Sequence, residues 1–309
     1  MSEIRAVVAS EAVSPMNRNT TNLLLALGTL FLVAGCFCNS DRNTGSSKQD
    51  EPVASNTTRA SSNKSSSTSS DPSKKADSGD FLVEHEEVST PKYVEIDKQI
   101  KGEKLLEKAA SQLNAALSLP EDITLRTKDC KEVNAYYDPN DSSVTMCYEL
   151  MEHFYGSFRS SGISEKEAYT QMFDAVRFVF LHEIAHAIID KYKLPIIGNE
   201  EDAADRCSAY INLEELGQDG VKAILAAADA FAIESKRTEG SKKNMADEHL
   251  LGEQRYYNAL CMVYGSDASK WEKLVTGGYL PKERAVRCPT EYGKTVDAWS
   301  ALLGPWRKD

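Results

Sequence analysis

Residues 168–189 read AYTQMFDAVRFVFLHEIAHAII. Apolar side chains from Tyr169 to Ile189 cover nearly the whole circumference of a helix, which predicts a central, buried helix rather than a surface one. Ser164 and Glu167 form a capping box that starts it, and Leu194-Pro195 ends it. Inside the run lies His182-Glu183-Ile184-Ala185-His186, an H-E-x-x-H motif. Positions i and i+4 share a helix face, so both imidazoles can reach one metal ion. Glu183 can hold and deprotonate a water on that metal. Burying two imidazoles and a carboxylate is costly unless something pairs with them. A zinc ion and its water would do so; a buried His–Glu hydrogen-bond network without metal is the alternative.

Downstream, residues 198–206 read GNEEDAADR. Gly198-Asn199 makes a turn with Asn199 as N-cap, and a second helix starts with acids in its first turn. Glu201 and Asp205 are four apart and share a face. Glu201 would complete a three-ligand zinc site with an open fourth position, with Glu200 as its rival. Asp205 can accept the free N–H of a ligating histidine. An acidic turn that merely complements the helix dipole is the plainer account of these residues.

HEIAH followed by Glu201-x-x-Ala204-Asp205 resembles the Glu-zincin metallopeptidases. Together with NAYYDP…CYEL upstream and DEHLLGEQRYYN…YG downstream, it resembles more closely a bacterial metallopeptidase family of unknown function, over about residues 81–300. The resemblance implies zinc held by His182, His186 and Glu201, with Glu183 as general base and a peptide or protein as substrate. It also implies a zincin-like α+β fold, a small sheet beside a predominantly helical body. In that fold an edge strand upstream of the motif helix aligns an extended peptide, and Ser143–Tyr148 is the candidate. Ile189 and Tyr192 stand where a metzincin would have Gly and a third His, which excludes that class.

Residues 23–35, LLLALGTLFLVAG, precede Cys36 and follow Arg18. This reads as a signal peptide over residues 1–36 ending in a lipobox, with Cys36 the lipidated residue. A transmembrane anchor is the alternative, but the apolar run is shorter than the roughly twenty residues a spanning helix needs. Phe37, rather than Asp, follows the cysteine, which by resemblance to enterobacterial lipoproteins implies outer-membrane sorting, so the expected place is the bacterial cell envelope, lipid-anchored and facing periplasm or surface. Residues 37–80 are Ser-rich and charged, which predicts a disordered tether. The folded domain is expected over 81–309, long enough for one sizeable core. A net charge of −11 argues against nucleic-acid partners.

Export permits disulfides. Cys130 with Cys147, and Cys261 with Cys288, are the expected pairs, leaving Cys207 as the odd one; buried thiols are the alternative. Phe81–Val88, Ile123–Thr127, Val133–Tyr137 and Ser143–Tyr148 read as strands, and Ile96–Leu119 as one amphipathic helix. Gly217 is expected to close the helix bearing Glu201, with further helices over Val221–Ile233, Met245–Tyr264 and Pro281–Leu303. The polar segment Ser235–Ala246 could act as a lid. His249 or Tyr256 could donate to an oxyanion at the metal, the plainer reading being a surface His and core tyrosines. Arg284 and Arg287 are expected in structural ion pairs. A zincin-like scaffold that binds a partner in the envelope without catalysis is the second functional hypothesis.

Overall fold

The computed structural model describes residues 74–238 and 248–308. The expected signal peptide, Cys36 and most of the tether lie outside the described residues, as do residues 239–246 of the expected lid. Residues just before the first strand already bond to the rest of the fold. Ser78 and Gly79 donate backbone N–H bonds to Leu119 O, and Lys75 donates to Pro305 O. A Cβ on Gly79 would sit 2.1 Å from the Glu121 carbonyl carbon, so only glycine allows this approach.

The first strand, β1 (Phe81–His85), leads through a short 3-10 turn to α1 (Val94–Gly102) and α2 (Leu105–Ala116). The single helix expected over 96–119 is thus two. Apolar spacing slips between Ile100 and Leu105, and Lys104 adopts a left-handed φ of 54° at the break. Next come β2 (Ile123–Lys128), β3 (Ala135–Asp138) and β4 (Ser143–Cys147), then α3 (Tyr148–Ser160). The four strands form one sheet in the order β1-β2-β4-β3. The first three neighbours run parallel and β3 runs antiparallel to β4.

This order corrects one expectation. Ser143–Tyr148 is not an edge strand, because β4 lies between β2 and β3 with all five residues buried. Its polar alternation is absorbed inside: Arg126 donates to Thr145 Oγ1 and Ser143 Oγ, each at 2.9 Å. The edge beside the motif helix is β3, whose Tyr137 hydroxyl donates to Asp190 Oδ2 at 2.7 Å.

The motif helix, α4 (Glu165–Tyr192), is 28 residues long, about 42 Å at 1.5 Å per residue. Ser164 caps it by accepting the Glu167 N–H. Three apolar clusters meet along it: Phe178 belongs to one, Ile184 and Ile188 to a second, and Met172 and Ala175 to a third. Each such fully buried large side chain contributes about 1.5–3 kcal/mol.

Beyond it, α5 (Glu200–Glu215) and α6 (Gly217–Thr238) are joined at Leu216. Gly220 packs so closely on the Asn212 backbone that a Cβ would lie 1.7 Å from its carbonyl oxygen. Then follow α7 (Gly252–Ser266), the short α8 (Lys273–Thr276) and α9 (Lys282–Ala285), and α10 (Cys288–Leu303). The helix expected from 281 to 303 breaks before Cys288 because Pro289 lacks the N–H needed to continue it.

Disulfides join Cys130 to Cys147 and Cys261 to Cys288, and Cys207 is a buried free thiol. The first ties the loop after β2 to the end of β4, and the second ties α7 to α10. Arg284 pairs with Glu291 through two 2.7 Å bonds. No described helix is long and apolar enough to cross a membrane. The whole is α+β, a four-stranded sheet beside a mainly helical body.

Candidate metal centre

The carboxyl-terminal half of α4 and the first turns of α5 pack together, and their facing side chains form one polar cluster. Asn199 fixes the start of α5 by accepting the Glu201 N–H at 2.7 Å, while its own amide donates to Glu248 O. That cap aims the Glu201 carboxylate at the motif helix. Glu201 Oε2 lies 3.0 Å from His182 Nε2, and Oε1 lies 3.3 Å from His186 Nε2. The two Nε2 atoms are 3.2 Å apart.

Both rings are held from behind. His182 Nδ1 is 2.9 Å from Asp205 Oδ1, and His186 Nδ1 is 2.8 Å from Glu200 Oε1. A carboxylate on Nδ1 draws the proton there and leaves Nε2 as a lone-pair donor. Thus Glu201 faces the Nε2 atoms that point inward, whereas Glu200, half exposed, supports His186 from outside.

His249 joins the same group. Its Nε2 is 2.9 Å from Glu201 Oε2 and its ring stacks on His182 with centroids 5.9 Å apart. Ligand atoms of His182, Glu201 and His249 all lie within 4.8 Å of one another. Glu183 is buried beside them, and burial raises its pKa. No hydrogen bond from a described residue holds its carboxylate. Tyr256 is not brought to this cluster: its ring packs against the core around Leu260 and meets Tyr257, and burial pushes its hydroxyl up to about 12.

Arg255 is the component that sequence reading did not assign. Buried against Phe231, with its guanidinium carbon 4.0 Å from the ring centroid, it donates from Nε and Nη2 to the two Asp205 oxygens at 2.8 and 2.7 Å. Burial works against the Asp205 carboxylate, yet Arg255 and His182 together hold its pKa well below the usual range. Burial likewise opposes the Glu201 carboxylate, but the three histidines outweigh it and depress its pKa strongly. Desolvation disfavours the His182 imidazolium, but Asp205 and Glu201 override that and push its pKa up to about 9.

The donor set fits a divalent cation. Glu183, Glu201 and Asp205 bring three carboxylates into a buried region whose permanent cation is Arg255. In the metal-free cluster the carboxylates draw protons onto His182 and His186, whose pKa values are raised; with the imidazoles neutral, as ligation requires, three negative charges face one positive, a deficit of two. A dication supplies it, and nitrogen and carboxylate ligands suit zinc. A second grouping, Cys130, Cys147 and Glu149, offers no thiolate because its cysteines are bonded to each other.

No curated protein and no solved structure matches this chain. Residues 85–303 match a domain family, DUF4344, whose description reads "putative metallopeptidase". That span takes in three of the four strands, both helices of the cluster and His249, so the chain belongs to this metallopeptidase family.

Proposed function

We propose that the chain is a zinc-dependent peptidase tethered to the bacterial envelope, with a zincin-like catalytic domain. The observation that carries the reading is the convergence of His182 Nε2, His186 Nε2 and the Glu201 carboxylate, with a carboxylate behind each imidazole. Those three residues would hold the ion. Bound there, zinc acidifies a water and polarises the scissile carbonyl.

Glu183 has the placement of the general base: next to a ligand, buried, and with its carboxylate untied by described residues. Its raised pKa suits a group that takes a proton from the attacking water and passes it to the leaving amine. Asp205 keeps His182 in the tautomer that offers Nε2, and Arg255 keeps Asp205 charged and oriented. His249, about two-fifths exposed at the cluster's edge, can donate to the oxyanion that forms as the carbonyl is attacked. An extended substrate can add to the sheet at β3, the edge strand that packs on α4. The envelope location rests on the leucine-rich run before Cys36 and on the Ser-rich tether.

Glu183→Gln tests the mechanism. It should retain zinc and lose peptide hydrolysis by at least about 100-fold, the range for loss of a general base. Full activity in that variant would overturn the assignment.

A further inference from the structure

The turn that carries His249 is tied at both ends to the elements of the cluster. Asn199 Nδ2 donates to Glu248 O at 2.7 Å, which joins the turn to the start of α5. The Leu251 N–H donates to Gln254 Oε1 at 3.1 Å, which fixes the start of α7. His249 is thereby delivered to Glu201. Zinc–ligand bonds of about 2.0–2.2 Å place neighbouring tetrahedral ligands roughly 3.3 Å apart. Contacts among His182, His186 and Glu201 run from 3.0 to 3.3 Å. His249 Nε2 continues that series at 2.9 Å from Glu201 Oε2, the same oxygen that His182 Nε2 approaches. Ligand atoms of His182, Glu201 and His249 lie within 4.8 Å of one another, a spacing that one ion can draw together. A group that served only as an oxyanion donor would not need its nitrogen against a metal ligand.

The four side chains differ in how firmly they are held. His182, His186 and Glu201 stand on two helices packed together, and their side chains are 3, 14 and 15% exposed. His249 stands on a bend before α7 and is 41% exposed. Four protein ligands close a zinc site, whereas hydrolysis needs one open position. The ligand on the bend is the one that can leave without unpacking a helix. We propose that His249 is a fourth, displaceable protein ligand of the ion, which closes the site in the substrate-free protein and yields its position when a peptide enters. Released, His249 remains at the cluster's edge, where it can donate to the oxyanion. This inference rests on the peptidase reading and adds a latch to it.

The test is X-ray absorption of the zinc-loaded full chain, which counts the imidazoles around the metal. Three are expected in the parent and two in His249→Phe, which keeps a ring against His182 but has no nitrogen. Zinc affinity, read by competition with a chelator, should fall in that variant by at least about tenfold, the least that loss of even an outer partner costs. His249→Ala with added imidazole should regain the third imidazole, and it serves if the first variant does not fold. Acetohydroxamate, which binds zinc through two oxygens as an entering substrate would with fewer, should lower the parent's count to two. Two imidazoles in the parent, or an unchanged count in a folded His249→Phe variant, overturns the proposal and leaves the three-ligand peptidase site standing. Three that persist with hydroxamate bound overturn the displacement. Three imidazoles in a parent that hydrolyses no peptide would support the ligand and remove the peptidase reading. A parent that takes up no zinc overturns both.

Discussion

Two buried polar networks in this protein differ in one respect that separates structure from chemistry. At the sheet end, the Tyr148 hydroxyl donates to Asp97 Oδ1 at 2.7 Å and lies 2.8 Å from Thr127 Oγ1, while Lys101 donates to Asp97 Oδ2 at 2.9 Å. One carboxylate meets one ammonium, and the network closes on itself. Around His182, three carboxylates, Glu183 buried and Glu201 and Asp205 partly so, meet one guanidinium, and imidazole nitrogens converge on a single carboxylate. Burial and hydrogen bonding are common to both. Charge balance is not, and it is the imbalance that marks a cation site.

The sharpest way to break this contrast is Arg255→Met. Removing Arg255 leaves Asp205 with His182 alone as its partner, beside Glu201, so unfolding by urea should show a loss of roughly 3–5 kcal/mol. Zinc affinity should weaken by about 10–100-fold, because Asp205 no longer orients His182. A variant as stable as the parent would show that the carboxylates are not uncompensated. Tyr148→Phe is the counterpart in the closed network. Its hydroxyl bond to a charged partner predicts a loss of about 1.5–3 kcal/mol with metal content unchanged. A change in bound metal there would mean the two networks communicate.

A smaller effect concerns pH. In chelator-treated protein, His182 binds its proton more tightly folded than unfolded, with a pKa raised from 6.5 to about 9. Its stabilisation is full below about pH 6.5 and lost as pH rises through 9. The metal-loaded protein should not show this decline, since zinc replaces the proton. Thermal melts of the two forms between pH 6 and 10 measure the difference. Parallel curves would sink the assignment of His182 as a ligand.

Features set by neighbours in the chain were legible in advance. The α4 run, its Ser164 cap and the Asn199 cap of α5 all depend on residues within a few positions, and the structure has each of them. So does the placing of Asp205 behind His182, because the helix period puts it on the face that Glu201 shares. Arg255 was harder. It lies 50 residues from Asp205, in the polar first turn of α7, where nothing local distinguishes a buried guanidinium from a surface one. The interior place of β4 was hidden because Ser143 and Thr145 resemble solvent-facing residues until Arg126 is seen to bond them. The division of the 96–119 helix had a signal, the phase slip after Ile100.

The central claim is that the cluster holds a metal, and elemental analysis of the purified full chain tests it most directly. Measured beside a His182→Ala, His186→Ala double variant, the parent should carry about one zinc per chain and the variant almost none. A well-folded parent that carries no metal even after zinc is supplied would contradict the account.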